Sequence, residues 1–320
     1  DYGTPASMSF AGQGGAGYRI FRDGFEMYTV EGGVVDLQHV PLVGIGRIRL
    51  DRSMGQMVVE MWSHEFDDGR PFSVIEAGTG DLDTNLFRGV YTDPTALFGS
   101  LGGGLERIDT RGRSADRSDA GNRTGSWLRY QLHLQDRFGI GLDYRRNQAK
   151  TTEASFVPTT TRTDVMVRAG LKLIDGVILQ AYAVSSDFSV ETDTVGTEFG
   201  GTRRQVGGTV GVERDGLWLR GSLRRFEDGV PSQRLDGAAG FTSARWGGVA
   251  GRYAKGDWND RSTTNYAARA WLSPISTVTL FGAYEAGTFG ARNTPVIDGA
   301  RFPEPAPPDG IRPGVEAITD

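Results

Sequence analysis

Residues 127–145 read WLRYQLHLQDRFGIGLDYR and are the stretch that decides the fold. Apolar and aromatic residues occupy every second position over 128–134 and again over 138–144, on either side of a short polar break. Because successive side chains of a β-strand point to opposite faces, each segment predicts a strand with one apolar and one polar face. The break at 136–137 is short enough for a tight turn, so the pair predicts an antiparallel hairpin.

The same hairpin pattern recurs through most of the chain. Asp-Gly and Pro-containing breaks separate its strands, and these residues favour turns because Gly adopts positive φ and Pro fixes φ. The pattern predicts about thirteen strands, which end near residue 286. The predicted tight turns lie at 93–95, 136–137, 174–176, 214–216, 246–247 and 273–276, and the first three predicted strands at 72–79, 84–92 and 96–110.

Long polar stretches alternate with these tight turns, at 111–125, 146–162, 187–203, 227–237 and 255–263. Short turns at one end and long loops at the other are typical of an outer-membrane barrel, whose hydrocarbon span needs about 9–11 tilted residues per strand. The sequence therefore predicts an all-β fold, an antiparallel up-and-down transmembrane β-barrel. Aromatic residues near strand ends are predicted to form interfacial girdles: Trp127, Tyr144, Trp218, Trp246, Tyr253, Trp271 and Tyr284.

A soluble all-β sandwich or barrel is the alternative, because such folds also alternate apolar and polar residues. The polar face argues against it, since it carries too many cations for a dry interior: Arg129, Arg145, Arg168, Lys172, Arg220, Arg224, Arg252 and Arg269. These arginines favour anionic ligands if they are free. We expect most of them to pair instead with carboxylates such as Glu60, Glu65 and Glu76.

Composition excludes several other classes of protein. The 320 residues contain 47 Gly, about twice the average usage of about 7%, which argues against a helical fold. The absence of Cys excludes disulfide scaffolds, thiol nucleophiles and Cys-ligated metals. A net charge of −5 makes a nucleic-acid partner unexpected.

The first seventy residues lack the hairpin rhythm and resemble a known domain. An apolar strand ends in Asp-Gly at 20–24, and 36–52 follows with Asp36-Leu37, Val40-Pro41 and Arg47-Ile48. These residues resemble the plug domain of TonB-dependent outer-membrane receptors, and 57–64 resembles its last strand. Arg49 departs from the family pattern, which has an acidic residue there, and Ser53-Met54 replaces its usual Gly-Pro.

The resemblance implies a small α+β plug domain at residues 1–66, followed by the barrel at 67–320. The family's barrel has 22 strands, so thirteen strands imply an incomplete barrel and a receptor fragment without its N-terminal coupling box and last strands. The Pro- and Gly-rich tail 287–320 is expected to be another long outside loop. The family also implies a bacterial outer-membrane location, contact with outer-membrane lipids and a TonB-type energy-coupling partner.

Motifs for catalysis or cofactor binding are weak. Gly12–Gly17 fits G-x-G-x-x-G, but a strand-like segment follows where a dinucleotide site needs a helix. The three histidines, His39, His64 and His133, form no metal-binding motif, and no G-x-S-x-G is present. We therefore expect no enzyme activity, no cofactor, no metal and no catalytic residue.

The predicted function is a receptor that imports a scarce solute with energy from an inner-membrane complex. Two alternatives remain open: a passive porin or adhesin-like barrel, and a soluble carbohydrate-binding or hydrolytic domain. Ligand is expected to meet loops 111–125, 146–162 and 187–203 first, although no single residue and no particular ligand can be assigned.

Overall fold

The computed structural model is built almost entirely from strands. The described residues are 18–27, 37–40, 42–53, 56–63, 69–112, 120–134, 137–151, 158–192, 199–227, 232–243, 246–257, 262–275, 278–287, 296–297, 300–301 and 310–317. The strands in these ranges are β1 Tyr18–Arg22, β2 Phe25–Glu26, β3 Ile45–Ser53, β4 Gln56–Ser63, β5 Phe72–Gly80, β6 Thr84–Asp93, β7 Ser100–Thr110, β8 Gly121–Leu134, β9 Phe138–Thr151, β10 Pro158–Ile174, β11 Val177–Thr192, β12 Phe199–Arg214, β13 Leu217–Phe226, β14 Gln233–Ser243, β15 Gly247–Asp257, β16 Ser262–Ile275, β17 Val278–Gly287, β18 Val296–Ile297, β19 Ala300–Arg301 and β20 Gly310–Ala317. Short 3-10 turns lie at Leu37–His39 and Ala96–Phe98. Within these ranges, no helix is long and apolar enough to cross a membrane.

A single 14-stranded sheet, which we call the wall, contains β5 to β17 in chain order and then β20. Every neighbouring pair is antiparallel, as in β8 with β9, where Leu128 lies opposite Tyr144 and Leu132 opposite Ile140. The predicted up-and-down all-β fold is therefore confirmed. The described part of the wall is open, with β5 at one edge and β20 at the other.

The tight turns follow the predicted Asp-Gly positions. Gly176 and Gly216 both have a φ of 82°, which residues with a side chain rarely adopt. A Cβ at Gly176 would also lie 2.1 Å from the carbonyl oxygen of Glu213. The amide of Glu213 donates to the Gly176 carbonyl at 2.7 Å, so this turn holds two neighbouring hairpins together.

Several predicted boundaries are wrong. The long loops are shorter than predicted, because β8 to β12 have 14 to 17 residues and continue into their polar stretches. Backbone pairing does not require apolar side chains, so alternation ends before the strands do. The turn predicted at 273–276 begins later, since β16 continues to Ile275 through a register shift. Part of the tail predicted as a loop forms β20, which pairs with β17.

The two faces of the wall differ as predicted. On β8 and β9, Leu128 and Leu142 are 47% and 44% exposed on the outward face. Arg129 and Asp143 are buried on the other face, which we call the inward face. A continuous apolar outer face of this kind is typical of membrane barrels.

Three of the seven predicted girdle aromatics are wrong, since they lie on the inward face. Trp127 is buried, and its ring packs against Gly104. Trp218 donates its indole N–H to the Thr242 hydroxyl at 3.3 Å. Trp271 lies on the same face as Arg269, whose guanidinium is 6.0 Å from the ring centroid. Each is two positions from an inward arginine, so the strand period fixes its face.

Strands β1 to β4 form a separate mixed sheet, which we call the N-terminal sheet, in the order β2-β1-β4-β3. β1 and β4 are parallel, whereas β1 with β2 and β3 with β4 are antiparallel. Asp23 and Gly24, with φ of 52° and 79°, turn the chain between β1 and β2. The strands predicted around 20–24, 45–52 and 57–64 are present, and the 3-10 turn Leu37–His39 is the helical element among the described residues of this region.

The assignment of faces predicts opposite outcomes for arginine on neighbouring positions. Leu142→Arg places a charge on the outward face and should cost about 2–4 kcal/mol at mid-depth of a bilayer. Gln131→Arg, on the inward face beside it, should assemble normally. The gel-mobility difference between folded and heat-denatured protein measures assembly, and equal yields for the two variants would contradict the faces.

Candidate functional site

The N-terminal sheet lies against the inward face of the wall, and Asp23 forms one of its charged contacts. Its carboxylate accepts the amide and hydroxyl hydrogens of Ser63 at 2.7 and 2.9 Å. Arg145 of the wall donates to the same carboxylate at 3.2 Å, and Arg129 forms an ion pair with it. Arg168 donates to the backbone carbonyl of Asp23 at 3.0 Å. Asp23 thus connects a turn of the N-terminal sheet to three strands of the wall.

Asp143 completes this cluster from the wall. It accepts hydrogen bonds from Arg129 at 2.7 Å and from Arg168 at 2.6 Å, and Arg145 lies 3.5 Å away. Three cations against one wall carboxylate leave a charge excess of two. The N-terminal sheet supplies the Asp23 carboxylate, which partly neutralises the wall arginines. It also supplies the buried Arg22 guanidinium, whose Nε lies 3.6 Å from the Asp23 carboxylate, as a fourth cation of the cluster.

Glu26 forms a second charged cluster with the next strands of the wall. Arg19 of the same sheet donates to Glu26 at 2.6 and 2.9 Å. Arg224 of β13 forms an ion pair with Glu26, and Arg234 of β14 lies 3.7 Å away. Asp236 accepts from Arg224 at 2.7 Å and from Arg19 at 3.3 Å, so carboxylates and arginines of both sheets alternate.

The wall arginines set the protonation of both carboxylates. Burial by itself would raise the pKa of Asp23, but Arg129 and Arg145 hold it well below its ordinary value. Burial opposes ionisation of Glu26 in the same way, and Arg19, Arg224 and Arg234 lower its pKa well below the ordinary value. Both groups are therefore ionised at neutral pH.

An apolar patch lies between the N-terminal sheet and the wall. Ile20, Phe25 and Met61 of the N-terminal sheet pack in one buried cluster with Met166 and Val184 of the wall. Met166 and Val184 stand at inward positions that are otherwise mostly polar or small. They mark where the wall is covered by protein rather than by water.

The 3-10 turn Leu37–His39 adds a third contact with the wall. The His39 ring nitrogen Nε2 lies 3.0 Å from the Thr160 hydroxyl, and the His39 carbonyl accepts from Asn147 at 3.0 Å. The edge of the His39 ring meets Phe188 at 5.5 Å between centroids. This histidine is buried and hydrogen-bonded, which fits a structural role.

Arg123 joins the following segment to the wall. It donates to the Val40 carbonyl at 2.6 Å and to Glu106 at 2.6 Å. The Leu42 amide donates to the same carboxylate of Glu106 at 3.3 Å. His39, Val40 and Leu42 are therefore held to the wall through their backbone groups.

The expected pairing of the inward arginines is confirmed for four of them, but Glu60 and Glu76 are not their partners. Arg129, Arg145 and Arg168 pair with Asp23 or Asp143, and Arg224 pairs with Glu26 and Asp236. Glu60 lies 3.8 Å from Arg49 and Glu76 lies 3.2 Å from Arg88, both with substantial exposure. Glu65 lies outside the described residues.

Several predicted features fall on residues that the structure does not describe. The glycine motif at 12–17 and His64 lie outside the described residues, as do the centres of the three predicted ligand loops, 113–119, 152–157 and 193–198. Ligand contact by those loops stays a prediction. In the described ranges, no group of three His, Cys, Asp or Glu side chains is arranged to hold a metal ion.

Solved structures with similar folds are outer-membrane proteins. The chain superposes on the FrpB iron transporter from Neisseria meningitidis with a TM-score of 0.62 at 10% identity, over 89% of this chain and 60% of that one. It superposes on the alcaligin outer-membrane receptor FauA from Bordetella pertussis with a TM-score of 0.59 at 12% identity, over 83% of this chain and 54% of that one. The chain therefore has the fold of TonB-dependent outer-membrane receptors, as its sequence resemblance implied.

This similarity establishes the fold of the chain, and it covers only part of each solved structure. The chain spans about 54 to 60% of the length of these structures. No protein-family model and no curated protein sequence matches it. These similar proteins are a transporter and a receptor of the outer membrane, which agrees with the predicted location.

Removing the Asp23 charge should destabilise the protein strongly. Asp23→Asn leaves Arg129 and Arg145 buried with one carboxylate fewer, and breaking such a buried pair costs about 3–5 kcal/mol. Denaturant unfolding of the refolded protein in detergent measures the loss. Glu76→Gln, at an exposed acid–arginine pair, is the matched control and should change stability by less than about 1 kcal/mol. Equal effects of the two substitutions would contradict the role assigned to Asp23.

Acid should weaken the same contacts. The folded pKa values of Asp23 and Glu26 lie below the ordinary values of 3.8 and 4.5. The two carboxylates therefore contribute their full stability at any pH above the ordinary values. It is lost as the pH falls below about 4.5 towards the folded pKa values. The midpoint denaturant concentration of unfolding, measured from pH 7 to pH 2, should decrease within this pH range. The double variant Asp23→Asn, Glu26→Gln should show a flatter profile, and an unchanged slope would contradict the assignment.

Proposed function

We propose that the chain belongs to an outer-membrane receptor that imports a scarce solute, with residues 1–66 as a plug and residues 67–320 as part of the barrel. The observation that supports this function is the placement of Asp23 and Glu26 among arginines of the inward face. A domain bound to that face obstructs the lumen. Passage of a large solute then requires the plug to move.

The character of the interface suits such movement. Most of its contacts are ion pairs and hydrogen bonds, and water can replace these partners when the two surfaces separate. The apolar part is confined to the patch around Ile20, Phe25 and Met61. Energy from outside the barrel is needed, because many buried contacts must break together. By resemblance, a TonB-type protein of an inner-membrane complex would supply it.

The proposed ligand class is an iron chelate. The similar structures are named as an iron transporter and as a receptor for alcaligin. The segments that connect β7 to β8, β9 to β10 and β11 to β12 are proposed to meet the ligand first, since they lie at the end opposite the tight turns. They fall within the predicted loops 111–125, 146–162 and 187–203. Outer-membrane lipids are proposed to cover the apolar outer face of the wall.

Energy dependence of uptake tests this function. Cells that lack other iron receptors and produce the full-length protein are given radiolabelled ferric alcaligin, or ferric iron alone. Uptake should exceed that of cells without the protein and fall to their level when a protonophore collapses the inner-membrane gradient. Binding at the cell surface should persist, because only movement of the plug requires energy.

A variant without residues 1–66 provides the control. If the plug closes the lumen, its removal should give iron entry that no longer responds to the protonophore. A passive porin predicts protonophore-insensitive entry already in the unaltered protein, and that result would overturn the proposal. Absence of both binding and uptake would overturn the iron-chelate assignment.

A further inference from the structure

An apolar cavity of about 560 Å³ opens on the outward face of β12 to β15, near the tight-turn end. We propose that it binds a phospholipid, with an acyl chain in the cavity and the phosphate on Arg214. The site depends on the outward face meeting lipid, and it does not depend on transport. Six of the residues that line the cavity are Val212, Leu217, Leu219, Phe241, Val249 and Gly251.

The register of the strands explains why a cavity forms here. Leu219 lies opposite Ala239, and Ala239 lies opposite Gly251, so side-chain size falls sharply along one row. In the next row towards the turns, Leu217, Phe241 and Val249 lie side by side and are 61%, 42% and 53% exposed. Small residues thus form the floor, and large ones form a rim on the turn side. Such a groove fits a flexible hydrocarbon chain.

Arg214 provides the polar end of the site. It is the last residue of β12, at an outward position beside Leu217, and it lines the cavity. The carboxylate of its neighbour Asp215 lies 3.4 Å from the Arg214 guanidinium, and the two side chains are 88% and 82% exposed. Such a surface ion pair contributes little to stability, so a phosphate can take the place of Asp215. A guanidinium group binds phosphate through paired, charge-assisted hydrogen bonds.

The combination selects an amphipathic anion. A free phosphate would use Arg214 but not the apolar cavity, and an uncharged hydrocarbon would use the cavity but not the arginine. Tight turns of outer-membrane barrels lie on the periplasmic side, where an arginine at the strand end reaches the level of the lipid headgroups. A phospholipid of that leaflet presents its acyl chain and phosphate in the same order as the cavity and Arg214.

Native mass spectrometry of the full chain in detergent tests the site, with phosphatidylglycerol as the probe. Arg214→Ala should weaken retention of one lipid by about tenfold, as expected for loss of a charge-assisted hydrogen bond. Gly251→Leu should also reduce retention by filling the cavity. The nearest atom to a Cβ at this glycine is 4.0 Å away, so the backbone tolerates the change.

Arg204→Ala is the matched control, because Arg204 is an exposed arginine of the same strand and pairs with Glu227 at 3.5 Å. It should leave retention unchanged. Equal retention by Arg214→Ala, Gly251→Leu and the unaltered protein would overturn the proposal, as would an equal loss in Arg204→Ala. Binding of inorganic phosphate at Arg214 with no lipid retained would assign the residue to a free anion instead.

Discussion

The arrangement of both sheets depends on the burial of Asp23 and Glu26 among arginines of the wall. Removing an ion from water costs several kcal/mol even in a relaxed protein, and only good geometry with opposite charges offsets that cost. Arg129 and Arg145 pair with Asp143 of the wall, and Arg224 pairs with Asp236. The N-terminal sheet adds Asp23 and Glu26 as further carboxylate partners of these arginines. The wall and the N-terminal sheet are therefore complementary surfaces, and each would expose or bury unbalanced charge without the other.

This complementarity follows from the two-residue period of the wall. Because β8 presents Leu128 outward, it must present Arg129 inward, and β9 presents Leu142 and Asp143 in the same way. The outward face then suits hydrocarbon, while the inward face needs a polar partner. Water or a second polar surface can satisfy it, and over β8 to β14 that partner includes the N-terminal sheet.

Much of the wall could be predicted, because alternation and Asp-Gly turns are local signals. The two-residue period alone also predicts inward faces for Trp127, Trp218 and Trp271, since each stands two positions from an inward arginine. The strand ends could not be predicted, because polar segments such as those of β10 pair through their backbone and carry no apolar pattern. The residues that join the two sheets could not be predicted either. Asp23 and Arg129 lie 106 positions apart, and only the folded chain brings them together.

One sequence signal could have located the interface. Met166 and Val184 are apolar residues at inward positions, where a lumen filled with water would favour polar ones. Their presence indicates that protein covers the wall there, between Asp164 on one side and Arg168 on the other. An interface with a small apolar centre and charged clusters around it is specific in its register, because any shift separates ion pairs. Its charged contacts can still be exchanged for water when the two surfaces separate. A plug domain that fits one position in a barrel and can also leave that position requires both properties: a specific register and charged contacts that water can replace.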